Sequence, residues 1–147
     1  MRLLIQRVLN AKVVVEQHTI AKIDEGLLVL VGFGHDDQAQ LLNKAIEKLI
    51  NLRIFSDQQG RFQHSVRDLD KGILAVPQFT LYGNTNSGRR PDFIAAMPPE
   101  SAEKLFGQFC RLLQQKNIKQ LGFGEFGAGM QVSLVNDGPV TLMIEIP

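Results

Sequence analysis

Only two stretches of this chain carry a helical stripe, and that limits its fold more than any other feature. The first stripe is Leu41, Leu42, Ala45, Ile46, Leu49 and Ile50, and Asp36 or Asp37 can cap it. The second is Ala102, Leu105, Phe106, Phe109, Cys110 and Leu113, opened by Pro98-Pro99 at a position where proline is tolerated. The remaining apolar segments read as strands: 2–9, 12–16, 19–23, the continuous run Leu27 to Phe33, and 52–55 before a turn at Gly60. Ile73 to Val76 follows, stopped by Pro77, and two more strands fall at about 130–136 and 140–146. Residues 83–98 are rich in Gly, Asn, Ser and Pro and read as a long loop.

The order β-β-β-β-α-β-β-α-β-β does not interleave helices regularly, which argues against a doubly wound parallel sheet. It predicts an α+β domain over residues 1–147, with curved, mainly antiparallel sheets and two covering helices. At 147 residues the chain fits one domain. Two helices cannot cover so many strands, so leftover sheet faces or edges call for a second subunit.

The net charge of +1 gives no global basic footprint for nucleic acid, so any basic surface must be local. One cysteine, Cys110, rules out an intrachain disulfide and fits a reducing, cytoplasmic home. Met1-Arg2 leads into a strand-like run without the marks of a signal peptide. No apolar run approaches the ~20 residues that span a bilayer, so no membrane association is predicted.

The usual catalytic signatures are missing. His18, His35 and His64 have no partners at metal-ligand spacing, and no metal or cofactor is called for. Cys110 sits on an apolar helix stripe and reads as a buried structural thiol. Gly122-Phe123-Gly124-Glu125-Phe126-Gly127 is glycine-rich, but its phenylalanines suit a packed loop better than a phosphate cradle.

Polar residues at strand ends stand out instead. Pro77-Gln78-Phe79-Thr80-Leu81 follows a buried strand; spacing alone favours a kinked strand with Thr80 bonding backbone. Gly88-Arg89-Arg90-Pro91-Asp92-Phe93 puts two arginines in a loop, as a solvated turn or as an anion clamp. Arg7 shares a strand face with Leu3 and Ile5, which places it at an exposed strand end or against a buried acceptor. Asn136-Asp137-Gly138-Pro139-Val140-Thr141 reads as a hairpin turn at Asp137-Gly138. Pro139 does not fit that reading, because it lacks an N–H where the second strand should begin.

Together these segments resemble the D-aminoacyl-tRNA deacylases along essentially the whole chain. The resemblance is carried by Leu4-Ile5-Gln6-Arg7-Val8, Leu52-Arg53-Ile54-Phe55, Gln78-Phe79-Thr80-Leu81 and Gly88-Arg89-Arg90-Pro91-Asp92-Phe93. It continues through Phe126-Gly127-Ala128 and Met130-Gln131-Val132 and ends with Asn136-Asp137-Gly138-Pro139-Val140-Thr141. It implies a barrel-like fold, a homodimer, and hydrolysis of the ester between a D-amino acid and the 3′-terminal adenosine of tRNA. It implies catalytic roles for Gln78, Phe79 and Thr80 of one subunit. Gly138-Pro139 of the other, joined by a cis bond, would bind substrate and exclude L-residues, with Arg7 holding its carbonyls inward. Met130 is implied in substrate binding, Arg89 and Arg90 in tRNA binding. Glycine, having no side chain to exclude, should pass, so mischarged Gly-tRNA(Ala) is an implied substrate.

One position departs from the pattern. The family usually carries serine before Gln-Phe-Thr-Leu, and here Pro77 removes a hydroxyl and a backbone N–H. A related group that removes L-alanine mischarged onto tRNA(Thr) carries proline there, but lacks the phenylalanine. That activity is one alternative. The other is a non-enzymatic dimeric tRNA-binding module whose loop arginines grip an anionic partner. The residues alone place this module first; the resemblance reverses the order.

Overall fold

A computed structural model describes residues 1–147. Its organising element is β1 (Arg2–Val15), a single 14-residue strand where the sequence suggested two. The interruption is a bulge: Val8 faces Asn136, and the next pair is Asn10 with Val135. An inserted residue moves every later side chain to the opposite face. Ala11 and Val13 therefore join Val8 in one buried cluster, whereas Leu3 and Ile5 belong to another.

One edge of β1 pairs along its whole length with β8 (Met130–Glu145). The other edge pairs first with β3 (Gly26–Gly32) and then with β2 (His18–Ile23). Glu16 and Gln17 form the tight β1–β2 turn with φ of 47° and 66°, the positive angles such turns demand. β6 (Gly72–Pro77) pairs parallel to β3, and β7 (Leu121–Phe123) parallel to β6. The sheet then curls until β7 approaches β2. A Cβ on Gly122 would lie 3.0 Å from that of Ala21, and Gln120 exchanges hydrogen bonds of 2.9 and 2.8 Å with Asp24. The result is a nearly closed, barrel-like mixed sheet. β4 (Phe55–Ser56) and β5 (Phe62–His64) form a separate hairpin, so only the end of the expected 52–55 strand is strand.

α1 (Gln40–Asn51) and α2 (Pro99–Gln114) cover the outer face. Their stripes meet Leu3, Ile5, Val29 and Ile73 in the larger core, while Val8, Val13, Leu28, Leu74 and Val76 fill the barrel interior. Pro99 opens α2 as expected. The expected cap of α1 is absent: Ala39 precedes the helix without a side-chain bond. Asp37 is committed elsewhere, accepting the Gly34 N–H at 2.6 Å and the Met1 ammonium at 2.5 Å. The glycine-rich segment read as a loop contributes β7 at Leu121–Phe123, and its Phe126 packs 6.5 Å from Phe106. Cys110 is half-buried, and burial pushes its thiol up to about 12. No helix is long and apolar enough to cross a membrane.

β8 pairs only with β1, so its outer edge is open. Leu142, Met143 and Val135 on it are exposed, as is Leu9 on β1. A long edge strand carrying apolar side chains is unusual for a chain that works alone.

Candidate active site

The Asn136–Thr141 segment is not a hairpin. Residues 130–136 and 140–145 run in the same direction, both antiparallel to β1. Gln6 faces Thr141 and Val8 faces Asn136, so residues 137–140 bulge out opposite Arg7 alone. This resolves the misfit of Pro139, because a residue in a bulge owes no N–H to the ladder. The Gly138–Pro139 peptide is cis, and Gly138 has φ of 142°, a region that suits glycine.

Side chains hold the bulge where the ladder cannot. Arg7, on the helix-facing side of β1, donates from Nε to the Asp137 carbonyl at 2.9 Å and from Nη1 to the Ile54 carbonyl at 2.6 Å. It also lies 3.5 Å from the Asp137 carboxylate and 5.7 Å from the centre of the Phe62 ring. Of the two locations open to it from sequence, Arg7 occupies the committed one, with its side chain 11% exposed. Its partners are the carbonyls of Asp137 and Ile54, next to the Gly138–Pro139 pair. Asn136 bonds forward across the bulge, its Oδ1 accepting the Val140 N–H at 2.7 Å and its Nδ2 donating to Thr141 Oγ1 at 2.8 Å.

Gln78, Phe79 and Thr80 lie beyond the carboxyl end of β6. Gln78 donates its N–H to the Val31 carbonyl at 2.8 Å, and a 3-10 turn over Phe79–Tyr82 follows. The first N–H groups of such a turn have no carbonyl within it to bond, which leaves those of Phe79 and Thr80 as available donors. Gln78 Nε2 donates to Thr80 Oγ1 at 2.5 Å. Phe79 is exposed and meets Phe93 edge-to-face at 5.0 Å. Tyr82 closes the turn; burial, reinforced by nearby Asp37, pushes its phenol up to about 12.

Beside this turn opens a cleft of about 620 Å³. Pro77, Gln78, Phe79 and Met130 line it, with further walls from Phe93, Met97 and Phe126. None of its lining residues has a titratable side chain. Neither Gly138 nor Pro139 of the same chain lines it. Arg89 and Arg90 are exposed at the tip of a loop closed by paired backbone bonds between Asn84 and Asp92, of 2.8 and 3.0 Å. The sequence reading did not assign Phe93, Met97 or Asn136 to the site. Phe93 and Asn136 stood inside motifs that carried the resemblance, whereas Met97 gave no local signal.

The profile of the D-Tyr-tRNA(Tyr) deacylase family matches residues 4–145. A D-aminoacyl-tRNA deacylase of Thermosipho africanus is 51% identical over 145 residues, covering 99% of this chain and 97% of that one. One from Chloroherpeton thalassium is 48% identical, covering 100% and 97%. Among solved structures, a c-Myc DNA unwinding element binding protein superposes with a TM-score of 0.94 at 40% identity, over 100% of this chain and 99% of that one. A probable eukaryotic D-amino acid tRNA deacylase shares the fold with a TM-score of 0.88 at 19% identity, covering 99% of this chain and 98% of that one. Matched over nearly its full length by the profile and by relatives about half identical, the chain belongs to the D-Tyr-tRNA(Tyr) deacylase family.

Proposed function

We propose that the protein hydrolyses the ester of D-aminoacyl-tRNA, releasing the free D-amino acid and tRNA. One observation carries this reading: an apolar cleft free of titratable groups lies beside two available backbone N–H donors. An aminoacyl ester is already activated, so a site that positions it and stabilises the oxyanion suffices. The terminal adenine enters the cleft against Phe79 and Met130, as nucleobases do on aromatic and apolar platforms. Water adds to the ester carbonyl, and the N–H groups of Phe79 and Thr80 receive the oxyanion. The vicinal ribose hydroxyl relays the proton: it accepts one from the attacking water as its own passes to the ribose oxygen of the breaking ester, which leaves as a hydroxyl.

The α-ammonium is a donor-only group and needs acceptors. The Gly138 and Pro139 carbonyls of a second copy supply them. With ammonium and ester both fixed, an L side chain runs into the Gly138–Pro139 backbone, a D side chain points to solvent, and glycine passes. Two features support the dimer. The chain's own Gly138–Pro139 pair does not line its own cleft, and the apolar open edge of β8 suits a second copy. Arg89 and Arg90 bind acceptor-stem phosphates. The cytoplasm, where tRNA is charged, is the matching location.

Thr80 has no base to activate it; its hydroxyl accepts from Gln78. Thr80→Ala is therefore expected to lower kcat by about tenfold or less, the scale of one lost hydrogen bond, with single-turnover assays as the check. The pH profile follows from the same cleft. No enzyme group titrates there, so kcat should show no bell-shaped dependence between pH 6 and 9, measured in the presence of saturating D-Tyr-tRNA.

Pro77, which lines the cleft, favours the L-alanine deacylase as the second reading. Assaying D-Tyr-tRNA, Gly-tRNA(Ala) and L-Ala-tRNA(Thr) side by side separates the two. Hydrolysis of the first two alone supports the proposal, and hydrolysis of L-Ala-tRNA(Thr) alone replaces it. Salt-sensitive tRNA binding without hydrolysis points to the non-enzymatic module.

A further inference from the structure

We infer that the Asn136 carboxamide is the positioning group that shapes the Gly138–Pro139 bulge, and through it the preference for one hand of substrate. This rests on the deacylase reading above. The register leaves residues 137–140 without ladder partners on β1, so other groups must fix their course. Arg7 pins the entry by holding the Asp137 carbonyl at 2.9 Å. Asn136 pins the exit. Its Oδ1 takes the Val140 N–H at 2.7 Å, and its Nδ2 gives to Thr141 Oγ1 at 2.8 Å while lying 3.4 Å from the Val140 carbonyl.

The chemistry needs an amide. An acceptor must face a backbone N–H while a donor faces a hydroxyl and a carbonyl, and a carboxamide offers both from one planar group on a short stem. Aspartate keeps the acceptor and loses the donor; alanine loses both. Asn136 touches no reacting atom in the proposed mechanism. Removing it should loosen the wall and the two carbonyls while leaving the cleft as it is.

The test compares wild type with Asn136→Ala, Asn136→Asp and Thr141→Val in two measurements. The first is amide hydrogen exchange at Val140. It should be slow in wild type, at least tenfold faster in Asn136→Ala, and nearly as slow as wild type in Asn136→Asp. The second is the ratio of kcat/KM for D-Tyr-tRNA to that for L-Tyr-tRNA. It should narrow about tenfold or more in Asn136→Ala, and by a smaller factor in Asn136→Asp and Thr141→Val, where one arm of the clamp is lost. A wild-type ratio in folded Asn136→Ala overturns the inference, as does unchanged Val140 exchange in that variant. Should Asn136→Ala fail to fold, Asn136→Asp decides: a narrowed ratio with Val140 protected supports the role, and an unchanged ratio overturns it. A wild-type protein that hydrolyses neither hand refutes the deacylase reading and the role in selectivity with it. The exchange measurement then still shows whether Asn136 fixes the bulge.

Discussion

Gly138→Ala lowers kcat/KM for D-Tyr-tRNA by about 100-fold, the cost of an ångström-scale displacement at a reacting centre. A Cβ at this position would stand 2.8 Å from Val140 Cγ2, 2.9 Å from the Val140 nitrogen and 3.3 Å from Arg7 Nη2. The backbone φ of 142° is itself one that alanine rarely adopts. Two of these neighbours cannot easily give way. The Val140 nitrogen is bonded to Asn136, and Arg7 is held between two carbonyls. The bulge must therefore shift, and the Gly138 and Pro139 carbonyls with it. Gly138 is exposed, so the melting temperature should change little while activity falls. Kinetics within twofold of wild type in a folded variant would contradict the assignment of these carbonyls to the substrate ammonium.

Arg7→Ala combines a functional loss with a structural one. Two carbonyls lose their donors, that of Ile54 in a residue only 2% exposed and that of Asp137 at the root of the bulge. Leaving the buried Ile54 acceptor unsatisfied costs about 1–3 kcal/mol, the partly exposed Asp137 carbonyl adds less, and the guanidinium also packs over the Phe62 ring. The expected result is a loss of roughly 5–10 °C in melting temperature, read by calorimetry. D-Tyr-tRNA hydrolysis should fall at least tenfold. Arg7→Lys should not restore either. An ammonium is a single point and cannot reach from Ile54 to Asp137 as the planar fork does. Full rescue by lysine would reduce the role of Arg7 to its charge.

The sequence revealed the helices and most strands because their signals are local. The stripes on α1 and α2 and the run Leu27 to Phe33 each state their own burial. The bulge is a different case. Asp137-Gly138 between two alternating segments has the same local chemistry whether the chain reverses there or carries on. What decides is β1, whose Gln6 and Val8 fix the register from the other end of the chain. The bulge near Val8 was hidden for the same reason. Asp37 looked like a helix cap from sequence, but the Gly34 N–H and the chain's amino group claim its carboxylate instead. At the site, residue types alone favoured a solvated arginine loop and a kinked strand. The cleft is assembled from the end of β6, the start of α2 and the loop before β8, a convergence that no single segment announces.

Exclusion of L-residues at Gly138–Pro139 stands or falls on one comparison: the rates at which the purified protein deacylates D-Tyr-tRNA and L-Tyr-tRNA charged on the same tRNA. Exclusion predicts rapid hydrolysis of the D-ester and hydrolysis of the L-ester slower by orders of magnitude. Comparable hydrolysis of both esters would contradict exclusion at Gly138–Pro139, and hydrolysis of the L-ester alone would reverse it.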